Sequence, residues 1–281
     1  MQYREYAPAK PLDRYINCFW SLEPEAGSAA AACDRSVPDG SLEFVLHLAE
    51  PMLRQAPGGE FRREGRAVLI GQTTLPYVIA PGGQARLLGM RCFPHTGFLF
   101  VDGPVLPYND QSVDLEAILP RAARLPFERI ANAPDISEAV RVLEHWCLKR
   151  LAARPVTTAD RRFAYACVRI LRGLGMPCIS SISRDSGIGT RQLERLFRSR
   201  AGIPPKLFAR IIRFQHALGH LDRGSGLAAL AQRTGHFDQA HFIREFRRFA
   251  GVTPREFGRE QHPWTRHFAE PGNRSYLYNS V

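Results

Sequence analysis

Short apolar runs separated by turn residues fill the first hundred residues of the chain. Six of these runs are rich in residues that favour strands, and they cover residues 16–22, 42–48, 67–71, 77–80, 85–93 and 97–101. Turn signals separate them at Pro38-Asp39-Gly40, Pro57-Gly58-Gly59 and Pro81-Gly82-Gly83. Strands of this length and spacing predict a β-barrel or a β-sandwich.

The spacing of apolar residues becomes helical beyond about residue 112. Asp135 precedes Glu138 by three residues, a variant of the capping box that starts a helix. An amphipathic helix of about 15 residues is predicted from the apolar positions Ile136, Val140, Leu143, Cys147 and Leu151. This stripe is typical either of packing on the helix's own domain or of an exposed dimerisation surface, and the pattern leaves both open.

The C-terminal part of the chain matches itself at a spacing of 49 residues. The first copy contains Phe197-Arg198, Ala201-Gly202-Ile203, Pro205 and Phe208, and the second contains Phe246-Arg247, Ala250-Gly251-Val252, Pro254 and Phe257. So many equivalent positions in one register indicate a structural unit that occurs twice.

Each copy predicts a short helix, a glycine turn and a longer helix. Gly187 and Gly235 mark the two turns, and Thr190 is the candidate start of the first longer helix. The inner faces of the two longer helices are apolar, at Leu193, Leu196 and Phe197 and at Phe242, Phe246 and Phe249. Because the outer faces are basic, we predict helix-turn-helix units at residues 179–201 and 227–250.

A long helix is predicted between the units, from Pro204-Pro205 to about Leu221. Its roughly 16 residues span about 24 Å, so that a separation of the two longer helices near one DNA turn, about 34 Å, is reasonable. The chain then divides into a β-rich domain with C-terminal helices (1–153), a linker (154–159), an all-helical domain (160–262) and a tail without clear pattern (263–281).

Positive charge is concentrated in the helical domain. The 281 residues have a formal net charge of +11. Residues 161–262 alone contain 19 Lys/Arg and 7 Asp/Glu, a net charge of +12, whereas the rest of the chain has −1. A localised basic block indicates a nucleic-acid partner, and its alternative is a solvated basic face.

The sequence also indicates in which compartment the protein is expected to act. No segment approaches the roughly 20 apolar residues of a membrane span, and the charged N-terminus does not resemble a signal peptide. We therefore expect a cytoplasmic protein without membrane contact. The six cysteines form no C-x-x-C pair, which disfavours a zinc ribbon and favours buried, reduced thiols.

The second copy carries a signature-like stretch. It reads Gly235-His236-Phe237-Asp238-Gln239-Ala240-His241-Phe242-Ile243-Arg244-Glu245-Phe246, followed by Ala250-Gly251-Val252-Thr253-Pro254. This stretch resembles the pattern of the AraC/XylS family of regulators, and the resemblance covers about residues 160–260. His236 departs from the family's usual Phe, although the adjacent Phe237 could fill the same space. Ser183 and Cys178 also depart, from a usual Ala and a usual capping Ser or Thr.

The resemblance implies which outer-face residues contact double-stranded DNA. Base contacts are implied for Arg191, Glu194, Arg195, Gln239, His241, Ile243 and Arg244, and their chemistry matches base edges. For Arg195 and Arg244, a phosphate contact or an internal salt bridge stays open. We expect phosphate contacts from Arg198, Arg200, Arg247 and Arg248.

The resemblance further implies a multidomain α+β protein whose β-rich, cupin-like N-terminal domain senses an effector or forms a homodimer, and which acts on RNA polymerase. A candidate pocket for a small-molecule effector comprises Trp20, Phe44, His47 and Arg91, which are alternatively core residues. Glu43, His47 and Glu50 have helical spacing inside a predicted strand, and no His-x-His motif is present, so we expect no metal and no cofactor.

Two enzyme classes compete with a regulator. A DNA-repair methyltransferase fused to this DNA-binding domain needs a cysteine–metal cluster, which Cys18 and Cys33 alone do not form. A cupin-type enzyme with a fused DNA-binding domain is the other. We find no nucleophile paired with a base and expect no catalytic activity.

Overall fold

A computed structural model describes residues 2–24, 33–56, 59–221 and 226–259 of the chain. The predicted tail at 263–281 and part of the predicted turn at 57–59 lie outside the described residues.

Ten strands make up the N-terminal domain in the described part of the chain: β1 (Gln2–Tyr6), β2 (Ile16–Glu23), β3 (Asp34–Ser36), β4 (Glu43–His47), β5 (Leu53–Gln55), β6 (Phe61–Arg63), β7 (Ala67–Ile70), β8 (Tyr77–Ala80), β9 (Leu87–Cys92) and β10 (Ser112–Asp114). They form a six-stranded antiparallel sheet in the order β1-β2-β9-β4-β7-β10 and a four-stranded sheet in the order β3-β8-β5-β6. The prediction of a β-rich domain is confirmed, although the sheets do not close into a barrel.

One predicted strand is wrong. Residues 97–101 form a 3-10 turn at Gly97–Phe100 in which all four side-chain positions are buried. A buried turn and a buried strand both give an uninterrupted apolar run, which is why the sequence favoured a strand here.

The two faces of the large sheet bury different residues. On β4, Phe44 and Leu46 point into the main core, while Val45 points to the opposite face with Trp20 of β2. This alternation is the period-two geometry of a strand. One face therefore packs on helices, and the other faces the small sheet.

Three α-helices complete the described part of this domain: α1 (Leu115–Ile118), α2 (Phe127–Ala131) and α3 (Ile136–Ala153). Asp135 accepts the backbone N–H of Glu138 and caps α3, as the sequence predicted. The stripe of α3 is buried on its own domain, where Trp146 lies 6.1 Å from the ring of Phe44. Its alternative, an exposed dimerisation stripe, is therefore excluded for this face.

The C-terminal domain consists of helices in the described residues: α4 (Thr158–Arg172), α5 (Ile179–Asp185), α6 (Thr190–Arg200), α7 (Pro205–Leu218), α8 (Leu227–Arg233), α9 (Gln239–Ala250) and α10 (Pro254–Phe257). The linker is shorter than predicted because Thr157 already caps α4 in a reciprocal capping box with Asp160. Arg154 fixes the linker, since its guanidinium donates to the carbonyl oxygens of Phe98 and Val101.

The two domains share one continuous apolar core, which runs from the large sheet to α7. The amide of Asn109 donates to the carbonyl of Gly202 at 2.6 Å, and Val105 N donates to Ser199 O at 3.0 Å. Gln215 of α7 donates to Pro38 O at 2.5 Å. The β-rich domain therefore contacts both α6 and α7 directly.

Candidate nucleic-acid interface

The two helix-turn-helix units copy each other in backbone geometry. Helices α6 and α9 begin 49 residues apart, at residues 190 and 239. The turn glycines Gly187 and Gly235 have φ of +67° and +70°, and Gly202 and Gly251 after the longer helices have +77° and +78°. These are left-handed conformations that glycine adopts without a steric penalty. The predicted repeat thus corresponds to a repeated structure.

Apolar side chains anchor both longer helices. Leu193 and Phe197 of α6 are fully buried, and Phe242, Phe246 and Phe249 of α9 are no more than 1% exposed. Helix α7 lies between the units, and its 14 residues span about 21 Å at 1.5 Å per residue. Each outer face is consequently held in a fixed orientation by a buried inner face.

An ion network attaches α9 to α7. The buried carboxylate of Glu245 accepts from Arg210 Nε at 3.2 Å and lies 3.8 Å from Arg213 Nη2. His241 Nε2 of α9 lies 3.3 Å from the same carboxylate. The sequence assigned Glu245 only to the family signature, because its two arginine partners lie on another helix.

The predicted base-contact residues differ in how freely they can reach a ligand. Four of them are exposed on the outer faces, namely Arg191, Arg195, Gln239 and Arg244. Glu194 is half-buried. Ile243 is half-buried as well, because it packs against the apolar core.

His241 is already engaged within its own unit. Its Nδ1 accepts the backbone N–H of Phe237 at 3.4 Å, and its Nε2 faces Glu245. A base contact by His241 would have to replace the second of these interactions.

The residues predicted to contact phosphates also differ in exposure and in their partners within the protein. Arg198, Arg247 and Arg248 are exposed. Arg200 instead forms an ion pair with the buried Asp160, with Nε 2.7 Å from Oδ1. Burial acts to raise the pKa of Asp160, but hydrogen bonds from Thr157 and Arg200 lower it below its ordinary value. Arg200 thus joins α6 to α4, which is not the role expected for it.

His236, and not Phe237, occupies the buried aromatic position of the signature. His236 itself occupies the buried position, 5.2 Å from the ring of Phe242, and its Nδ1 lies 2.9 Å from Thr234 Oγ1. Burial lowers the pKa of His236, which favours the neutral ring. Phe237 is 93% exposed instead, directly before Asp238, the N-cap of α9. An exposed aromatic ring therefore lies beside the outer face of α9.

A cavity of about 110 Å³ lies between the two sheets of the N-terminal domain. Trp20, His47 and Arg91 line it, as the candidate effector pocket requires. Phe44 does not, because it points to the opposite face of β4 and packs against Phe100 and Trp146. Leu218 of α7 also lines the cavity, so the helical domain forms part of its wall.

Some of the charged side chains in this cavity form ion pairs. Arg91 Nε lies 2.7 Å from Glu43 Oε1, and its Nη1 lies 3.9 Å from Glu5. Burial acts to lower the pKa of Arg91, while nearby negative groups, Glu43 first, raise it above its ordinary value. His47 Nδ1 lies 2.8 Å from Gly65 O, and its Nε2 lies 3.4 Å from Glu64 Oε2.

The candidate metal ligands do not converge. Glu43 lines the cavity with His47, but Glu50 pairs with Arg63 on the surface at 2.6 Å. Among the described residues, no group of three or more His, Cys, Asp or Glu side chains is placed to hold a metal ion. All six cysteines are free, and Cys33 and Cys178 are exposed rather than buried as expected. No helix in the described ranges has the length and apolar content for crossing a bilayer.

Two family models match separate parts of the chain. Residues 182–260 match the family described as a helix-turn-helix domain, and residues 4–114 match the family described as a domain of unknown function (DUF6597). The chain is similar to ToxT from Vibrio cholerae, at 8% identity and a TM-score of 0.44, over 92% of this chain and 98% of that chain. It is also similar to the C-terminal domain of AraT, a response regulator from Geobacillus stearothermophilus, at 19% identity and a TM-score of 0.32, over 41% of this chain and 96% of that chain. A search of curated proteins finds no match. The chain therefore combines a β-rich domain that matches one family model with a helical domain that matches the helix-turn-helix family over residues 182–260.

Proposed function

We propose that the protein is a sequence-specific transcription regulator whose helices α6 and α9 enter successive major grooves on one face of the DNA. The observation that carries this proposal is the equivalence of the two helices. Each has a buried apolar face and an exposed basic face, and α7 packs against both of them. A monomer of this kind reads an asymmetric site that spans about two turns of DNA.

Exposed side chains on the two helices supply the base readout. Arg191 and Arg195 of α6, and Arg244 of α9, can each donate two hydrogen bonds to guanine. Gln239 of α9 matches adenine in the same way. We add Phe237 to this surface, because an exposed ring at the start of α9 suits a contact with a thymine methyl group.

The finer parts of the function follow from this role. As a regulator, the protein would act in the cytoplasm and contact RNA polymerase, and the cavity in the N-terminal domain would receive a small-molecule effector. A homodimer through the N-terminal domain would need a face other than the stripe of α3, which is buried. Sedimentation of the full-length protein, with and without DNA, tests the dimer directly.

Selection of bound sequences from a random duplex pool tests the proposal. We expect full-length protein to enrich an asymmetric motif in two blocks, one helical turn apart. Arg191→Ala should relax specificity in one block and Arg244→Ala in the other, each at a cost of about 1–3 kcal/mol on the preferred site. Arg62→Ala is the matched control, since this arginine is exposed on the β-rich domain. Enrichment of no motif, or equal losses on preferred and scrambled DNA, would contradict base readout.

A further inference from the structure

The cavity between the sheets contains more acidic than basic side chains. Four carboxylates line it, from Asp34, Asp39, Glu43 and Glu64, against the guanidinium of Arg91 and the imidazole of His47. Arg91 already pairs with Glu43 and with Glu5 outside the cavity lining. The lining therefore contains twice as many acidic as basic side chains. A bound anion would be repelled here, whereas a cation would be attracted.

Buried polar atoms in the cavity lack a partner. Within the described residues, neither Glu64 Oε1 nor Ser41 Oγ has a hydrogen-bond partner. The side chain of Glu64 is 3% exposed, and Ser41 is 5% exposed. A buried carboxylate oxygen without a donor is costly, and an ionised carboxylate can only accept. A ligand that donates hydrogen bonds would satisfy both atoms.

The remaining walls are apolar and limit the size of the ligand. Trp20, Leu22, Val45, Met52 and Ile70 form one side, and Ile79 of the small sheet faces them. A volume of about 110 Å³ is of the order of apolar protein cavities that hold a single six-membered ring. An aromatic wall such as Trp20 also attracts a cation through its ring face.

Helix α7 connects this cavity to the DNA-binding units. Gln215 and Leu218 line the cavity from the last turn of α7. The same helix carries Arg210 and Arg213, which bind Glu245 of α9. A ligand that contacts this end of α7 thus touches the helix that sets the orientation of the second unit.

We propose that the cavity binds a compact organic cation, an N–H-bearing amine on a body of about one ring, and that α7 transmits its binding to the DNA-binding surface. The second half of this statement rests on the proposed function, whereas the first half does not. Glu64 accepts from the ammonium group, Ser41 takes a further hydrogen bond, and Trp20 and Leu22 contact the apolar body.

Three probes of nearly equal shape test the ligand class by titration calorimetry and thermal unfolding of the full-length protein. Benzylamine is the cation, benzyl alcohol the neutral donor and benzoate the anion. We expect benzylamine to bind with a Kd of about 1 mM or lower, which is reasonable for eight non-hydrogen atoms, and at least ~10-fold more tightly than either other probe. Benzoate binding as tightly as benzylamine, or no binding of benzylamine up to about 10 mM, would overturn the proposal.

A charge-removing variant locates the site. Glu64→Gln should weaken benzylamine binding by at least ~10-fold, whereas Glu60→Gln, at an exposed carboxylate on the same hairpin, should leave it unchanged. Unchanged binding in E64Q would overturn the assignment. Circular dichroism checks the fold of E64Q, and the three-probe comparison on the wild-type protein stands even if E64Q does not fold.

The regulatory half has its own readout. Saturating benzylamine should change the affinity for the selected DNA site by at least ~5-fold, as for typical coupling between sites. Benzylamine binding without a change in DNA affinity would overturn transmission through α7. If the protein selects no DNA site at all, the proposed function fails, while the result on the ligand class is unaffected.

Discussion

Arg198 and Arg200 lie two residues apart on α6, and we predict that they act in different ways. Both were expected to contact phosphates. Arg198 is exposed, whereas Arg200 pairs with Asp160 at 2.7 Å, and the side chain of Asp160 is 3% exposed. Replacing each by alanine therefore separates a DNA contact from a structural ion pair.

The magnitudes follow from this geometry. Breaking a fully buried ion pair costs about 3–5 kcal/mol. The Arg200 side chain keeps 20% exposure and Asp160 keeps its hydrogen bonds from Thr157, so we expect Arg200→Ala to lower the free energy of unfolding by only ~2–3 kcal/mol. Arg198→Ala should change stability by less than about 0.5 kcal/mol. Each phosphate contact contributes about 0.9 to the slope of log K against log salt concentration, so R198A should reduce the slope by that amount and R200A should not.

Urea unfolding and DNA titrations over a range of salt concentrations measure both quantities. The stability difference between wild type and R200A should hold above the ordinary carboxyl pKa. It should shrink as the pH falls through the lowered pKa of Asp160 in the folded state, because a protonated Asp160 no longer pairs with Arg200. A reduced salt slope with unchanged stability in R200A would refute this assignment.

Three further predictions concern stability and recognition. Burial lowers the pKa of His95 to about 4. The contribution of neutral His95 to stability is therefore complete above the ordinary pKa near 6.5 and is lost as the pH falls toward 4. In urea unfolding, His95→Asn should remove about 2 kcal/mol of the stability loss that the wild type shows between pH 7 and pH 5. In thermal unfolding, Gly202→Ala should destabilise the protein by ~1 kcal/mol or more beyond the effect of Gly251→Ala. A Cβ at Gly202 would lie 2.1 Å from Asn109 Oδ1, whereas the atom nearest to a Cβ at Gly251, at 3.0 Å, is the end of a flexible arginine. Equal losses of stability in the two variants would contradict the contact between the domains at Gly202. Phe237→Ser should leave stability unchanged, because the ring is exposed. In competition binding, it should lower the discrimination against other bases at one thymine of the site by about 1 kcal/mol. Equal affinity of the wild type for DNA with thymine and with uracil at that position would contradict the contact with the methyl group.

Most helices of the C-terminal domain could be predicted from local sequence patterns. The repeat at 49 residues and the apolar spacing at Leu193 and Phe197 predicted both units, because a helix that buries one face records its period in the sequence. The glycine turns were equally visible, since a left-handed backbone is easiest for glycine. Strand alternation also separates Phe44 from His47, which are three residues apart on β4 and therefore point to opposite faces.

Contacts between distant segments were not predictable in this way. Arg200 looks like any outer-face arginine until the fold places it against Asp160, 40 residues earlier. The cavity is lined in part by the three-residue strand β3, which is too short and too polar to produce a strand pattern. Its wall from α7 depends on how two domains meet, and nothing in the local sequence around Gln215 records that.

The spacing between the two blocks of the selected DNA site tests the central claim most directly. Inserting about five base pairs between the blocks rotates one major groove to the opposite face of the duplex, and inserting about ten restores the face but doubles the distance. Because α7 packs against both α6 and α9, a fixed spacing of the two helices is part of our proposal. We therefore expect the full-length protein to lose affinity on both insertions, down to its affinity for DNA that carries one block. Unchanged affinity on either insertion would contradict two helices reading successive grooves from one rigid domain.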